Sequence, residues 1–438
     1  MLTRKLLVVL LLSAALSAAL AASWLNGPRP AQAETAYQEL QLFTDVLSIV
    51  RRSYVEEVPV KDLVYGAIDG MLASLDPHSG FMPPEVYKEM KIDTRGEFGG
   101  LGVEITLKDD MLTIVAPIED TPAFRAGLAT GDRILKIGDQ FTKGMEITEA
   151  VRLMRGAPGT EVAITVMREG FESPREFILK REVIKIKSVK SKTLEEGFGY
   201  VRVTQFQERT ANDLDRAFND LRKSSNGNIR GLIIDLRNNP GGLLDQAVEV
   251  ADLFLEEGLI VYTKGREADA QMEFSARRGG NELTCPMVAL INGGSASASE
   301  IVAGALQDHG RAVILGTQSF GKGSVQTILP LGDDSGLRLT TALYYTPKGT
   351  SIQAKGITPD ILVQPAEIKE AGERDHFREK DLRNHFDSVQ GGEPVKPAEK
   401  DGGQPQIEAD QRSDYQLMRA LDLLKGWQIF QGIKRPAA

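Results

Sequence analysis

Cysteine and histidine are scarce in this chain of 438 residues, and their scarcity limits the chemistry it can perform. Cys285 is the single cysteine, so no disulfide can form within the chain. It precedes an apolar run typical of a buried strand, which favours a packing role. Only four histidines are present, none in a motif resembling a Ser-His arrangement. No group of His, Cys and carboxylates has metal-ligand spacing, and we predict no metal site.

Positive charge is also in deficit. Lysine and arginine total 52 against 61 acidic residues, which gives a formal net charge of −9. No basic stripe and no interleaving of basic and aromatic residues occurs, which argues against nucleic acid as a partner. The chain is 42% apolar, so most of it can bury a core, and its length predicts two or three domains.

The amino-terminal segment contains the longest stretch without charge. Arg4 and Lys5 precede a largely apolar run from residue 6 to 25, and Ala31-Gln32-Ala33 supplies a small-x-small cleavage pattern. This order predicts an export signal over residues 1–33. The pattern leaves open cleavage or retention as an anchor, since 20 residues can span a bilayer. Either outcome predicts a periplasmic or other extracytoplasmic location, with inner-membrane association if the segment is retained.

Two further regions precede the larger part of the chain. Residues 34–96 form a predicted helical module, in which Leu40, Phe43 and Val46 repeat at helical spacing. An apolar stripe of this kind is often a dimerisation surface, so we expect a homo-oligomer. From residue 97 to 182 the pattern changes to short strands, turns and two short helices.

The β-rich region resembles a PDZ domain. The resemblance depends on Gly100-Leu101-Gly102-Val103 and on the turn signals of residues 126–134. Glycine-rich backbone N–H groups can bind a terminal carboxylate, and a following strand edge can pair with an extended peptide. We therefore expect Gly100, Leu101, Gly102 and Val103 to bind the carboxyl terminus of a protein substrate.

Residues 183–365 alternate strands, turns and helices, which predicts a mixed α/β core with a helix-covered sheet and chemistry at the strand ends. Residues 366–412 are charged and rich in Pro, Gly and Gln, and we predict a flexible linker. Residues 413–438 contain apolar residues at helical spacing and predict a terminal helix that docks on the protein or on a second subunit.

The α/β core contains a serine-rich run and a glycine-flanked lysine. Ser295, Ser297 and Ser299 alternate with alanine after two glycines, and Lys322 lies between Gly321 and Gly323. A serine hydrolase needs an unhindered nucleophile and a base, and burial can lower the pKa of a lysine enough for that task. The residues alone leave three serines as candidates, whereas the shortage of histidine favours lysine as the base.

Three motifs in order make residues 34–365 resemble the C-terminal processing peptidases, also called tail-specific proteases. They are Asp235-Leu236-Arg237-Asn238-Asn239-Pro240-Gly241-Gly242, Gly294-Ser295-Ala296-Ser297-Ala298-Ser299-Glu300 and the segment 316–326. The family pattern places the nucleophile in the middle of the run, 25 residues before the lysine, which selects Ser297. It implies Lys322 as general base and Gln326 as the residue that orients the lysine amine.

The resemblance also implies an oxyanion hole made of backbone N–H groups, from Ala298 and from either Gly241 or Gly242. Arg237 and Asn239 are expected to shape the turn rather than touch substrate. Ser295 and Ser299 are expected to cap the helix or to keep the turn narrow. His309 precedes a glycine at a helix end, so we expect a cap contact there rather than a catalytic role.

Together these features predict an exported serine endopeptidase that captures apolar C-termini of proteins and needs no cofactor. The sequence leaves open whether a partner protein activates it. One rival is a catalytically silent PDZ adaptor on a protease fold, which the presence of Ser297, Lys322 and Gln326 at matched spacing opposes. Another is a hydrolase of small esters or lactams, which the PDZ-like region opposes.

Overall fold

The computed structural model describes residues 30–195, 197–266, 271–277, 279, 283–366 and 412–432, with side chains from residue 37 onward. Most of the predicted export segment (residues 1–29) and of the predicted linker (residues 367–411) therefore lie outside the described residues. The chain divides into two compact units, Met1–Phe81 and Met82–Ala438, and each is described by itself.

The first unit is helical, as the apolar spacing predicts. Helix α1 (Pro30–Ser53) and helix α2 (Val60–Ala73) are followed by the short strand β1 (Gly80–Met82), which begins in this unit. The apolar stripe of α1 is exposed: Leu40 retains 66% of its accessible surface and Val46 retains 50%. Among the described residues, no helix is long and apolar enough to cross a membrane.

The second unit begins with helix α3 and continues into the PDZ-like region. Its elements are α3 (Pro84–Arg95), β2 (Glu97–Gly100), β3 (Val103–Lys108), β4 (Met111–Pro117), α4 (Pro122–Arg125), β5 (Arg133–Ile137), β6 (Gln140–Phe141), α5 (Ile147–Met154), β7 (Glu161–Met167), β8 (Arg175–Lys180) and β9 (Glu182–Lys185). One sheet has the order β3-β4-β5-β7-β8, with β6 paired to β5. Strands β2 and β9, at the two ends of the region, pair separately with each other.

The remainder is the α/β core. Its elements are β10 (Val189–Glu195), β11 (Phe198–Val203), α6 (Thr210–Ser224), β12 (Gly231–Asp235), α7 (Leu244–Asp252), β13 (Gly258–Gly265), β14 (Met272–Ala276), β15 (Met287–Ile291), α8 (Ala298–Asp308), β16 (Val313–Gly316), β17 (Ser324–Pro330), β18 (Gly336–Tyr345), β19 (Ile361–Leu362) and α9 (Tyr415–Gly432). A sheet of order β10-β11-β12-β15-β16-β19 is parallel from β11 onward.

Helices cover both faces of this parallel sheet. Alternate strand residues such as Ile234 and Ala289 pack with α6, α7 and α8, while Ile233 and Leu290 pack with α9. Period-two alternation of side chains produces these two opposite faces. Helix α9 lies within the segment 413–438 and docks on the protein itself.

The topology brings three loops to one edge of the sheet. Strands β12, β15 and β16 run parallel, so the segments that leave their carboxyl ends meet there. These segments are residues 236–242, 292–297 and 317–323, which contain the three motifs identified in the sequence. Open α/β sheets place their sites at this edge.

Candidate active site

Ser297 adopts a backbone conformation that side-chain-bearing residues rarely take. It is the residue before α8, with φ 55° and ψ −112°. Such a conformation costs about 1–3 kcal/mol and persists only where neighbouring contacts impose it. Gly241 lies against it so closely that a β-carbon on this glycine would be 2.9 Å from Ser297 Cβ. Glycine at position 241 is therefore required for the serine to sit here.

The flanking serines attach the run to the neighbouring turn. Ser295 donates its hydroxyl to the Leu236 carbonyl at 2.8 Å, and Ser299 donates to the Asn239 carbonyl at 2.9 Å. Both serines are fully buried. Of the two roles expected of them, that of helix cap belongs to Ser297. Both serines instead hold the run against the turn.

Two backbone N–H groups near Ser297 have no acceptor within the part of the chain that the structure describes. They belong to Ala298, the first residue of α8, and to Gly242. The N–H of Gly241 is already engaged, since it donates to Asn239 Oδ1 at 2.9 Å. Asn239 also donates from Nδ2 to the Val203 carbonyl at 2.9 Å. As expected, Asn239 shapes the turn.

Glu300 joins the serine segment to the lysine segment. Its carboxylate is fully buried and accepts four hydrogen bonds. The donors are Ser297 N at 2.8 Å, Ser319 Oγ at 2.6 Å, Gly321 N at 2.7 Å and Lys322 N at 2.9 Å. Because one oxygen, Oε2, accepts from both Ser297 and Lys322, it brings the backbones of these two residues together.

Glu300 was not singled out from the sequence. The available signal was a glutamate three residues after a serine at a helix start, which is the capping-box pattern. That pattern predicts the bond to the Ser297 N–H. It does not predict the three donors from the segment after β16.

Lys322 lies in the loop before β17 and is partly buried. Burial lowers the pKa of its ammonium, and the positive charge of Arg338 lowers it further. Within the described residues, Lys322 Nζ makes no hydrogen bond or ion pair. The amine thus has the electrostatic setting of a base, since both influences favour the neutral form.

Gln326 is in strand β17, so its spacing of four residues from Lys322 does not correspond to a helical turn. Its Nε2 donates to Thr340 Oγ1 at 2.8 Å and to Ser324 Oγ at 3.2 Å. Its Oε1 is buried and has no partner among the described residues. No hydrogen bond joins Gln326 to Lys322 in this structure, and the unpaired oxygen is free to accept one.

His309 caps the carboxyl end of α8, as expected from the sequence. Its Nε2 lies 2.7 Å from the Leu259 carbonyl oxygen. Cys285 is buried two residues before β15, and burial raises the pKa of its thiol. Both positions therefore have structural roles. No group of three or more His, Cys, Asp or Glu side chains in the described residues could hold a metal ion.

The predicted peptide-binding residues lie where β2 leads into β3. Strand β3 is an edge strand of its sheet, and α5 packs beside it. Gly102 has φ 75°, and a β-carbon there would lie 2.3 Å from Thr121 Cβ, so glycine is required. The N–H groups of Leu101 and Gly102 have no acceptor among the described residues, whereas the Leu101 side chain is buried in the core.

Comparison with protein families agrees with this arrangement. The family model "Peptidase family S41" matches residues 197–363, and a PDZ domain model matches residues 113–168. The model "Activating protease CtpB N-terminal domain" matches residues 17–86. The carboxy-terminal-processing protease of Bartonella bacilliformis is 48% identical over 395 residues, which cover 90% of each chain. This chain belongs to peptidase family S41.

Two further proteins are similar to this chain. The carboxy-terminal processing protease CtpB of Bacillus subtilis is 34% identical over 79% of this chain and 72% of its own. A solved structure titled photosystem II D1 C-terminal processing protease is 30% identical, with a TM-score of 0.44, and the match covers 74% of this chain and 92% of that one. This family S41 chain is thus a serine-type peptidase with an N-terminal helical region, a PDZ domain and a protease core.

Proposed function

We propose that this chain is an exported serine endopeptidase that captures C-terminal tails of protein substrates in its PDZ domain and cleaves them with Ser297 and Lys322. The observation that carries the proposal is the conformation of Ser297. A strained serine at a helix start, held against a turn with two unpaired N–H groups, is the arrangement needed for acyl transfer.

The proposed chemistry has two half-reactions. Ser297 Oγ attacks the scissile carbonyl carbon and passes its proton to the neutral amine of Lys322. The resulting ammonium gives that proton to the leaving amine, and an acyl-enzyme remains. Water then attacks the ester with Lys322 again as base, which releases the new carboxylate and restores the serine.

The negative oxygen formed in each half-reaction needs donors that are already in place. We propose Ala298 N–H and Gly242 N–H for this role. Gly242 is preferred to Gly241 because the Gly241 N–H is engaged by Asn239. Gln326 is proposed to orient the Lys322 amine through its unpaired Oε1.

Capture of the tail is proposed at the start of β3. The unpaired N–H groups of Leu101 and Gly102 would bind the terminal carboxylate, with Gly100 and Val103 on either side. The free edge of β3 would pair with the peptide backbone, and α5 would flank its side chains. An apolar last residue suits a site enclosed by a helix and a strand.

Export, extracytoplasmic location and assembly remain parts of the proposal. The charge-free run of residues 6–25 supports export. The exposed apolar stripe of α1 supports a homo-oligomer, and retention of the amino-terminal segment would add membrane association. Regulation by an activating partner protein is also part of the proposal.

The test uses the purified protein and an unfolded substrate with an apolar tail. Ser297→Ala and Lys322→Ala should each abolish cleavage while the circular dichroism spectrum is unchanged. Because the two residues act as a unit, the double variant should be scarcely worse than either single one. Cleavage that survives in purified Lys322→Ala would overturn the assignment of the base, and a silent wild type would favour the adaptor alternative.

A further inference from the structure

Arg237 has all five of its side-chain N–H groups occupied. Nε and Nη2 donate to the two oxygens of Asp235 at 3.0 and 2.7 Å. Nη1 and Nη2 donate to the two oxygens of Asp414 at 3.0 and 2.7 Å, and Nη1 also donates to Gln416 Oε1 at 2.9 Å. An arginine side chain has five N–H donors, so none is left over.

The two carboxylates come from distant parts of the chain. Asp235 ends β12 in the centre of the sheet and also accepts from Tyr200 Oη at 2.8 Å and from Arg202 Nη1 at 3.2 Å. Asp414 lies immediately before α9, 177 residues after Arg237 in the chain. Arg237 therefore connects the central strand to the C-terminal helix.

Asp414 is itself held in place by the helix. Its Oδ1 accepts from Leu417 N at 3.1 Å, which caps the first turn. Gln416 Nε2 donates to the Val363 carbonyl at 2.7 Å. The apolar face of α9, with Leu417 and Leu421, is buried on the sheet. The helix thus presents the Asp414 carboxylate in one fixed position.

Arg237 adjoins the turn that meets the serine. The Leu236 carbonyl before it accepts from Ser295, and the Asn239 carbonyl after it accepts from Ala296 N at 3.0 Å. The turn then continues to Gly241, which contacts Ser297. A shift of the Arg237 side chain would therefore be transmitted to the turn through its own backbone.

We propose that α9 is a positioning element of the active site, and that Asp414 is the positioning residue through which it acts. By binding the Nη1/Nη2 edge of Arg237, next to the Nε/Nη2 edge that Asp235 binds, Asp414 fixes the turn 238–242 and the Gly242 N–H. This inference rests on the proposed function, because it assumes that the N–H of Gly242 binds the negative oxygen. Such a role would lower turnover more than substrate binding, since that oxygen forms only during reaction.

The experiment compares two single substitutions on the same helix. Asp414→Asn removes the charge that pairs with Arg237 but keeps an oxygen that can cap the helix. Lys425→Gln breaks the ion pair of Lys425 with Glu195, 2.6 Å long, in the second half of α9. Both loosen the docking of α9, and only the first touches Arg237.

We expect kcat of Asp414→Asn to fall about 10- to 100-fold with KM within twofold, since small displacements at a reacting centre have effects of this size. Labelling of Ser297 by a fluorophosphonate probe should slow in parallel, and Lys425→Gln should match the wild type in both assays. Equal kcat for the two variants would overturn the inference. If Asp414→Asn does not fold, Gln416→Leu serves in its place, because it removes one acceptor of Arg237. Its kcat and its rate of labelling should both fall, by less than is expected for Asp414→Asn. Wild-type values of both would refute the inference.

Failure of the inference and failure of the proposed function give different results. If the inference is wrong, Asp414→Asn cleaves normally and Ser297→Ala is still inactive. If the proposed function is wrong, either the wild type is inactive or Ser297→Ala keeps its activity, whatever Asp414→Asn does.

Discussion

Glu300 is the residue on which the proposed chemistry depends most without taking part in it. Its four partners are all hydrogen-bond donors, and two of them are the backbone N–H groups of Ser297 and Lys322. A carboxylate suits this position because it only accepts hydrogen bonds. A side chain with an NH2 group in place of one carboxylate oxygen would point that donor at another hydrogen-bond donor.

Glu300→Gln should therefore lower kcat by about 100-fold through misplacement of the lysine segment. Buried donors left without acceptors cost roughly 1–3 kcal/mol each, so the melting temperature should fall as well. Ser319→Ala is the control, since it removes one donor and keeps the carboxylate, and its loss of kcat should be smaller. A folded Glu300→Gln protein with wild-type kcat would contradict this role.

The pH dependence of cleavage should be set by Lys322. Burial and the charge of Arg338 both lower the pKa of its ammonium. Only the neutral amine can accept the serine proton, so kcat/KM should fall as the pH drops below this lowered pKa. Arg338→Gln removes a positive charge that lowers the pKa, so the pKa should rise and the acidic limb should move to higher pH.

The measurement is kcat/KM against pH for the wild type, Arg338→Gln and a charge-matched control. Arg216→Gln serves as the control because Arg216 lies exposed on α6 and pairs with Asp213. Its profile should overlay that of the wild type. An acidic limb that stays in place or moves to lower pH in Arg338→Gln would refute the assignment.

At the scale of elements, most strands and helices follow from the sequence because their patterns are local. The apolar runs at β12 and β15, the glycine-rich turn and the helix after the serines are examples. Local patterns could not decide the secondary structure at Gln326. Its spacing of four residues from Lys322 fits a helical turn, whereas β17 is a strand. The contact of Arg237 with Asp414 could not be predicted, because 177 residues separate them and no spacing rule applies.

The start of β3 offers a test of tail capture at the same scale. Gly102→Ala would add a β-carbon 2.3 Å from Thr121 Cβ at a residue with φ 75°. The loop must then move and displace the N–H groups of Leu101 and Gly102, and affinity for an apolar tail peptide should fall about tenfold or more, since a hydrogen bond to a charged group contributes roughly 1.5–3 kcal/mol. Anisotropy titrations in the Ser297→Ala background avoid cleavage of the peptide.

Gly127→Ala is a matched control for that substitution. Gly127 has φ 80°, but a β-carbon there would meet no atom within 4 Å. It shares the backbone strain of Gly102→Ala without the collision. Equal affinities for the two variants, or equal binding of acid and amide forms of the peptide by the Ser297→Ala protein, would argue against carboxylate capture at this loop.

At the scale of the whole molecule, the PDZ domain is inserted through a single pair of strands. Phe98 of β2 pairs with Ile184 of β9, and Gly100 pairs with Glu182 at the last position of the ladder. Among the described residues, the apolar core of the PDZ domain shares no buried residue with the two core clusters of the protease. The domain can therefore be removed without opening either protease cluster.

Replacement of residues 101–181 by Asn-Gly should turn β2 and β9 into a hairpin, because this dipeptide suits a two-residue antiparallel turn. If the PDZ domain selects the tail, the ratio of cleavage rates for acid and amide substrates should fall to near one. Loss of all cleavage in a folded protein would show instead that the domain is also needed to activate the site. A rate and a tail preference that both match the wild type would show that the PDZ domain contributes to neither step.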